Sequence, residues 1–200
     1  SDASTVPLRR YLDSIGHDTH GWQQGFNFGP RAGVLDAARR HIQARCDATG
    51  RKVSLIGWSL VGVYARELAK EMPESVRCVI TLGTPKSTNA WRIYELTSGR
   101  NIDREAERFQ LHEAPPVPTT SVFSRSDGIV AWQGSVQHPA DHNPHTENIE
   151  VVASHIGIGL NPSAWWAVAD RLAQPEDQWR PFDRQGLRGF KGLFYPDPHR

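Results

Sequence analysis

The sequence predicts an α/β fold, a mostly parallel sheet flanked by helices, and three observations carry that reading. Residues 53–56 (VSLI) and 76–82 (VRCVITL) are short, nearly unbroken apolar runs, the pattern of strands buried on both faces. A helix-period segment lies between them, with Val63, Tyr64, Glu67, Leu68 and Glu71 at the spacing of one stripe. Further strand-like runs at 119–124 (TTSVFS) and 149–152 (IEVV), followed by a helical segment at 163–172, continue the alternation toward the carboxyl end.

Composition sets the outer bounds. The chain has 200 residues, enough for one domain with a real core. With 38% hydrophobic and 22% charged residues it reads as globular, and a net charge of +1 supplies no electrostatic footprint for nucleic acid. No apolar run reaches transmembrane length and no signal peptide opens the chain, so a cytoplasmic location is the expectation. Cys46 and Cys78 are expected to be small buried hydrophobes rather than halves of a disulfide.

Taken in order, the chain opens on a helical pattern (Val6, Leu8, Tyr11, Leu12) that stops at Ser14-Ile15-Gly16. Residues 17–22 read as a short strand, and 23–30 as a glycine-rich loop. Pro30 stands where proline favours the first helical position, and Val34, Leu35, Ala38 and Ile42 give the helix its apolar face. Gly50 closes it. The strand–helix pair at 53–71 ends near Met72-Pro73, and the strand at 76–82 ends at Gly83-Thr84-Pro85. Residues 86–118, with Trp91, Ile93, Tyr94 and Leu96 in one cluster, read as a cap-like excursion over the carboxyl edge of the sheet, where binding walls commonly lie. The domain is expected to span 1–182, and the Pro-, Gly- and Arg-rich tail at 183–200 to pack loosely.

The chemistry concentrates at Gly57-Trp58-Ser59-Leu60-Val61-Gly62. A serine on a sharp strand-to-helix turn, with glycine two residues before it, has the pattern of a nucleophile elbow. The turn lifts the hydroxyl clear of the sheet, and the helix N-terminus offers backbone N–H groups to a developing oxyanion. Val61 stands where G-x-S-x-G has its second glycine, so crowding of the turn is expected there. Asp127 and His155 each follow a strand-like run, as Ser59 does. In a parallel sheet those ends share one edge, so the three side chains can converge, and the order Ser, Asp, His is that of α/β-hydrolases.

On these residues, and on the strings LIGWSL, GVYARELA, VITLGTP, TNAWRIYEL, PTTSVFSRSDGIVAWQ, NIEV and SHIGIGLNP, the chain resembles the bacterial α/β-hydrolase lipases and carboxylesterases. Triacylglycerol lipase-like proteins and hydrolases similar to GPI-inositol deacylases belong to that group. The resemblance covers about residues 2–182. It implies an α/β-hydrolase fold and cleavage of a small-molecule or lipid ester, with Ser59 as nucleophile, His155 as base, Asp127 as the acid that orients it and the N–H of Leu60 as an oxyanion donor. It implies no metal and no organic cofactor. Trp58, Trp91 and Tyr94 are candidate substrate-binding residues, with core packing the competing role for the aromatics of the excursion.

The comparison with that family also exposes departures. Val61 replaces a glycine, the stretch after Thr84-Pro85 is shorter, and the amino-terminal strands with their second oxyanion loop are missing. An N-terminally truncated sheet is therefore expected, with unpaired central edges through which copies could associate. Ester hydrolysis is expected to be weak, since losing an oxyanion donor costs roughly a hundredfold or more. A catalytically silent relative that binds a ligand or partner, and an acyltransferase, are the alternatives. His138, Asp141, His142 and His145 have metal-ligand residue types, but Pro139, Asn143 and Pro144 mark the segment as a solvated turn. Arg184, Arg188 and Lys191 with Phe190, Phe194 and Tyr195 could touch a membrane surface, although a frayed terminus is the expected reading.

Overall fold

A computed structural model describes residues 2–25, 33–86, 109–138, 143–186 and 190–199. Four strands form one sheet in the order β1-β2-β3-β4: β1 (Val53–Trp58), β2 (Val76–Leu82), β3 (Thr119–Phe123) and β4 (Thr146–Glu150). Every adjacent pair is parallel, with Trp58 opposite Leu82, Leu82 opposite Val122 and Phe123 opposite Glu150. The carboxyl ends of all four strands therefore lie along one edge.

Side-chain alternation distributes the strands' apolar residues between two helical layers. Ile80, Leu82, Val122 and Ile149 pack with Leu8 and Leu12 of α1 (Asp2–Ser14) and with Ala164, Ala167 and Val168 of α4 (Pro162–Leu172). On the opposite face Val76 and Val79 meet Ala65 and Ala69 of α3 (Leu60–Glu71). Outside them Leu35 and Ile42 of α2 (Val34–Thr49) pack on Tyr64 and Leu68. The apolar residues of the predicted helical stripes face the core, while Glu71, placed in the α3 stripe, is exposed and pairs with Arg39. Gly50 ends α2 in the left-handed conformation, φ 64°, and donates its N–H to Cys46 O at 2.8 Å. Asn161 caps α4 by accepting from the N–H groups of Ser163 and Ala164.

Several expectations need correction. Residues 17–22 are not a strand. Their donors are taken by side chains of α1: the Asp2 carboxylate accepts from Trp22 N at 2.8 Å and Gln23 N at 3.1 Å, and Asp13 accepts from Thr19 N at 3.1 Å. A segment bonded in this way has no ladder to offer, so the described sheet has its open edges at β1 and β4 and contains no broken centre. Strand β4 begins three residues earlier than the apolar pattern suggests, at Thr146 instead of Ile149. Its polar residues are held by specific partners: Glu147 accepts from Thr120 and Arg171, and Asn148 bonds the Gln137 backbone in both directions.

The 183–200 tail is anchored at Tyr195, while Leu193 and Phe194 are exposed. Phe182 and Tyr195 are buried in the main core, their rings meeting edge to face at 4.7 Å, and the Tyr195 hydroxyl donates to Ser163 O at 2.8 Å. Burial pushes the Tyr195 phenol well above its ordinary range. The Pro30 helix start and the excursion bearing Trp91 and Tyr94 lie outside the described residues, as do Asp141 and His142. Cys46 and Cys78 are free thiols, each half-buried. Among the described residues, no helix is long and apolar enough to cross a membrane.

Candidate active site

Ser59 occupies the single residue between β1 and α3, with φ 55° and ψ −131°. A non-glycine residue at positive φ stores strain, which the surroundings must hold in place. Here the serine N–H donates to Leu82 O at 2.8 Å, and the Thr84 hydroxyl donates to Ser59 O at 2.9 Å. The helix folds back so tightly that a Cβ on Gly57 would overlap the Gly62 backbone. One on Gly62 would overlap the Thr84 side chain. These two positions are where the turn demands glycine. Val61 lies beside them and is half-buried, and its carbonyl carbon belongs to the same close approach, 2.9 Å from a Cβ on Gly57. Leu60 opens α3, whose first-turn N–H groups have no acceptor within the helix.

The loops after β3 and β4 complete the edge. His155 Nε2 lies 2.9 Å from Ser59 Oγ, and His155 Nδ1 lies 2.8 Å from Asp127 Oδ2. The other carboxylate oxygen, Asp127 Oδ1, accepts from Ile129 N at 3.0 Å and Val130 N at 2.7 Å, so neither oxygen is free to turn. The His155 N–H donates to Asp127 O at 2.8 Å, tying the two loops together through the backbone as well. Asp127 is 5% exposed and His155 7%, which places their contact in a low-dielectric setting where it orients strongly. This hydrogen-bonded chain can polarise a hydroxyl: the ring accepts at Nε2 while the carboxylate holds the proton on Nδ1. Ser59, Asp127 and His155, widely separated in sequence, are thus brought to one place.

Trp58 has a different setting from the one expected of a substrate contact. Its indole N–H donates to His155 O at 3.1 Å, and its ring packs so closely on Gly159 that a Cβ there would lie 2.7 Å from it. The side chain props the histidine loop from below. Sequence reading also missed Gly83, whose φ is 53°. A Cβ on Gly83 would come 2.9 Å from Asp127 Oδ2 and 3.3 Å from His155 Nδ1. The signal was present in Gly-Thr-Pro after an apolar run, but those residues read only as a strand terminator.

No family model matches the sequence, and no curated protein matches it. Solved structures do. The esterase domain of a Rhodothermus marinus protein is 24% identical, with a TM-score of 0.58 over 86% of this chain and 78% of that one. A monoacylglycerol lipase from Paleococcus ferrophilus is 15% identical, with a TM-score of 0.57 over 85% of this chain and 87% of that one. Mouse alpha/beta hydrolase domain-containing protein 10 is 19% identical, with a TM-score of 0.55 over 84% and 81%. At these identities the likeness is one of fold. The chain has the α/β-hydrolase fold, and its structural neighbours include esterases and lipases.

Proposed function

We propose that this protein is a serine hydrolase that cleaves carboxylic esters through an acyl-enzyme. The observation that carries the proposal is the unbroken chain from Ser59 Oγ through His155 to Asp127, with contacts of 2.9 Å and 2.8 Å. Ser59 Oγ attacks the ester carbonyl carbon as His155 Nε2 takes its proton, and Asp127 stabilises the imidazolium that forms. The tetrahedral oxyanion faces the first turn of α3, where the N–H of Leu60 donates to it. His155 returns the proton to the leaving alkoxide, the alcohol departs, and Ser59 is left acylated. A water that gives its proton to His155 then attacks the acyl carbon, the bond from that carbon to Ser59 Oγ breaks, and His155 returns the proton to Ser59 Oγ as the acid leaves. No step calls for a metal or an organic cofactor. Trp91 and Tyr94 are assigned to the wall of the acyl pocket on the strength of their place in the excursion after β2. The open edge of β1 offers a surface through which two copies could associate, readable as a dimer by light scattering.

The test is hydrolysis of short- and medium-chain p-nitrophenyl esters, with fluorophosphonate labelling of the folded protein in parallel. Wild type should turn over and take the label. Ser59→Ala should lose the label and roughly 10⁴-fold or more in rate, because only oxyanion stabilisation and binding remain. A monodisperse wild-type sample that neither labels nor hydrolyses would sink the enzyme reading.

A further inference from the structure

A second concavity lies at the opposite edge of the sheet, against the amino ends of the strands. It has a volume of about 470 Å³, and Val76 at the start of β2, Pro118 just before β3 and His145 just before β4 all line it. That size falls within the roughly 300–1,000 Å³ typical of small-molecule pockets. Its apolar lining includes Val117 and the prolines Pro73, Pro116, Pro118 and Pro175. Its charged lining includes Arg77 and Arg171.

The two arginines are bonded in contrasting ways. Arg171 is buried and pairs with Glu147 at 2.7 Å and Asp170 at 2.5 Å, yet its Nε–H has no hydrogen-bond partner. Arg77 donates only to neutral acceptors: Ser54 Oγ at 3.0 Å, Gln174 O at 3.1 Å and Leu172 O at 2.9 Å. No carboxylate among the described residues pairs with it. The charge of this half-buried guanidinium is thus left available to an anion that reaches the cavity. The indole N–H of Trp179, whose ring stacks on His145 at 5.3 Å, is also buried without an acceptor. The Cys78 thiol lines the same cavity. Burial pushes its pKa up, and the charges of Arg77 and Arg171 act in the opposite sense. Glu74, Glu176 and Asp177 line the same cavity at its exposed rim, where water and salt screen them.

We propose that this cavity is a second ligand site that takes a small organic carboxylate, its charge facing Arg77 and Arg171 and its apolar body against Val117 and the neighbouring prolines. The carboxylate supplies the counter-charge that Arg77 lacks and acceptors for the idle donors of Arg171 and Trp179. An alcohol of the same shape has no charge to offer and is discriminated against. The site does not depend on the chemistry proposed for Ser59, which lies at the far ends of the same strands.

Benzoate is the probe, with benzyl alcohol as its uncharged counterpart. Binding is read by calorimetry and by protection of Cys78 from iodoacetamide in a Cys46→Ser background. Benzoate should bind with a millimolar or tighter Kd and slow the alkylation, and binding should weaken about tenfold or more in Arg77→Met. Trp179→Phe, which keeps the ring and removes the N–H, should weaken it by a smaller factor. Ser59→Ala should bind as wild type does. Absence of heat and of protection up to about 10 mM would overturn the proposal, because a millimolar Kd would by then have filled most of the sites. So would equal binding of benzyl alcohol, or binding that survives Arg77→Met and disappears in Ser59→Ala. Should Arg77→Met fail to fold, Trp179→Phe decides, and unchanged affinity there overturns the site.

Discussion

The two ends of the same four strands are finished in opposite ways. At the carboxyl edge each polar group of Ser59, His155 and Asp127 meets a partner within the chain, down to the second oxygen of the aspartate. At the amino edge Arg77 is left with neutral acceptors, and donors on Arg171 and Trp179 with none. A self-contained network positions groups that act on a substrate. An incomplete one leaves donors for which the described chain supplies no acceptor, the basis of the ligand site proposed there. The difference can be broken or sharpened by mutation, because the two ends are separated by the length of the strands and should behave independently.

The largest effect is expected at the carboxyl edge. Asp127→Asn keeps the side-chain shape but allows the wrong histidine tautomer, and kcat should fall by roughly 10⁴-fold with little change in KM. Arg77→Met should leave kcat and KM of the same ester untouched; a parallel loss would show that the two edges are coupled. Next in size is Gly62→Ala, whose Cβ meets the Thr84 side chain. Overpacking of this kind costs about 1–3 kcal/mol, so the denaturation midpoint should fall and ester turnover with it. Val61→Gly should instead leave turnover within a few-fold, since the tight approach to Gly57 is made by backbone atoms of Val61 and Gly62, which the substitution keeps.

A smaller change is expected for Trp58→Phe, which removes the donor to His155 O while retaining most of the ring's contact with Gly159. One hydrogen bond is worth about 1 kcal/mol, so a several-fold drop in kcat at unchanged KM would identify Trp58 as a positioning residue. A rise in KM alone would return it to the role of a substrate contact. The smallest effect lies away from both edges and appears only at high pH. The buried Tyr195 phenol titrates above its ordinary value of 10.0. The unfolded chain therefore loses that proton first as pH rises, and stability falls above about pH 10. Tyr195→Phe should flatten that alkaline limb in urea melts, while lowering stability at neutral pH through the lost bond to Ser163 O.

Much of this arrangement was written into residue order. The runs VSLI and VRCVITL are continuous because both faces of those strands are covered, and the stripe of α2 recurs at helical spacing because one side of it meets the core, whereas α3 is buried from Gly62 through Ala69 between the sheet and α2. The serine turn was legible from Gly57 and Ser59, and Asp127 and His155 from their places after apolar runs. Where sequence reading failed, nonlocal bonding was the reason. Residues 17–22 lose their strand to the carboxylates of Asp2 and Asp13. Strand β4 gains residues 146–148 because Thr120, Arg171 and Gln137 lie opposite polar residues that no apolar pattern announces. The tail is anchored through Tyr195 and Phe182 for the same kind of reason.

Periodicity and turn chemistry are local, so the sequence by itself determined the class of fold, the order of its buried strands and which residues stand at the strand ends. Distances between those ends belong to the folded chain. Only tertiary structure decided that Ser59, His155 and Asp127 touch, that Gly83 must lack a side chain beneath them, and that Trp58 supports the histidine loop. It also decided which charges go unpaired, since a counter-ion can come from any point of a chain once the sheet has brought its distant segments together.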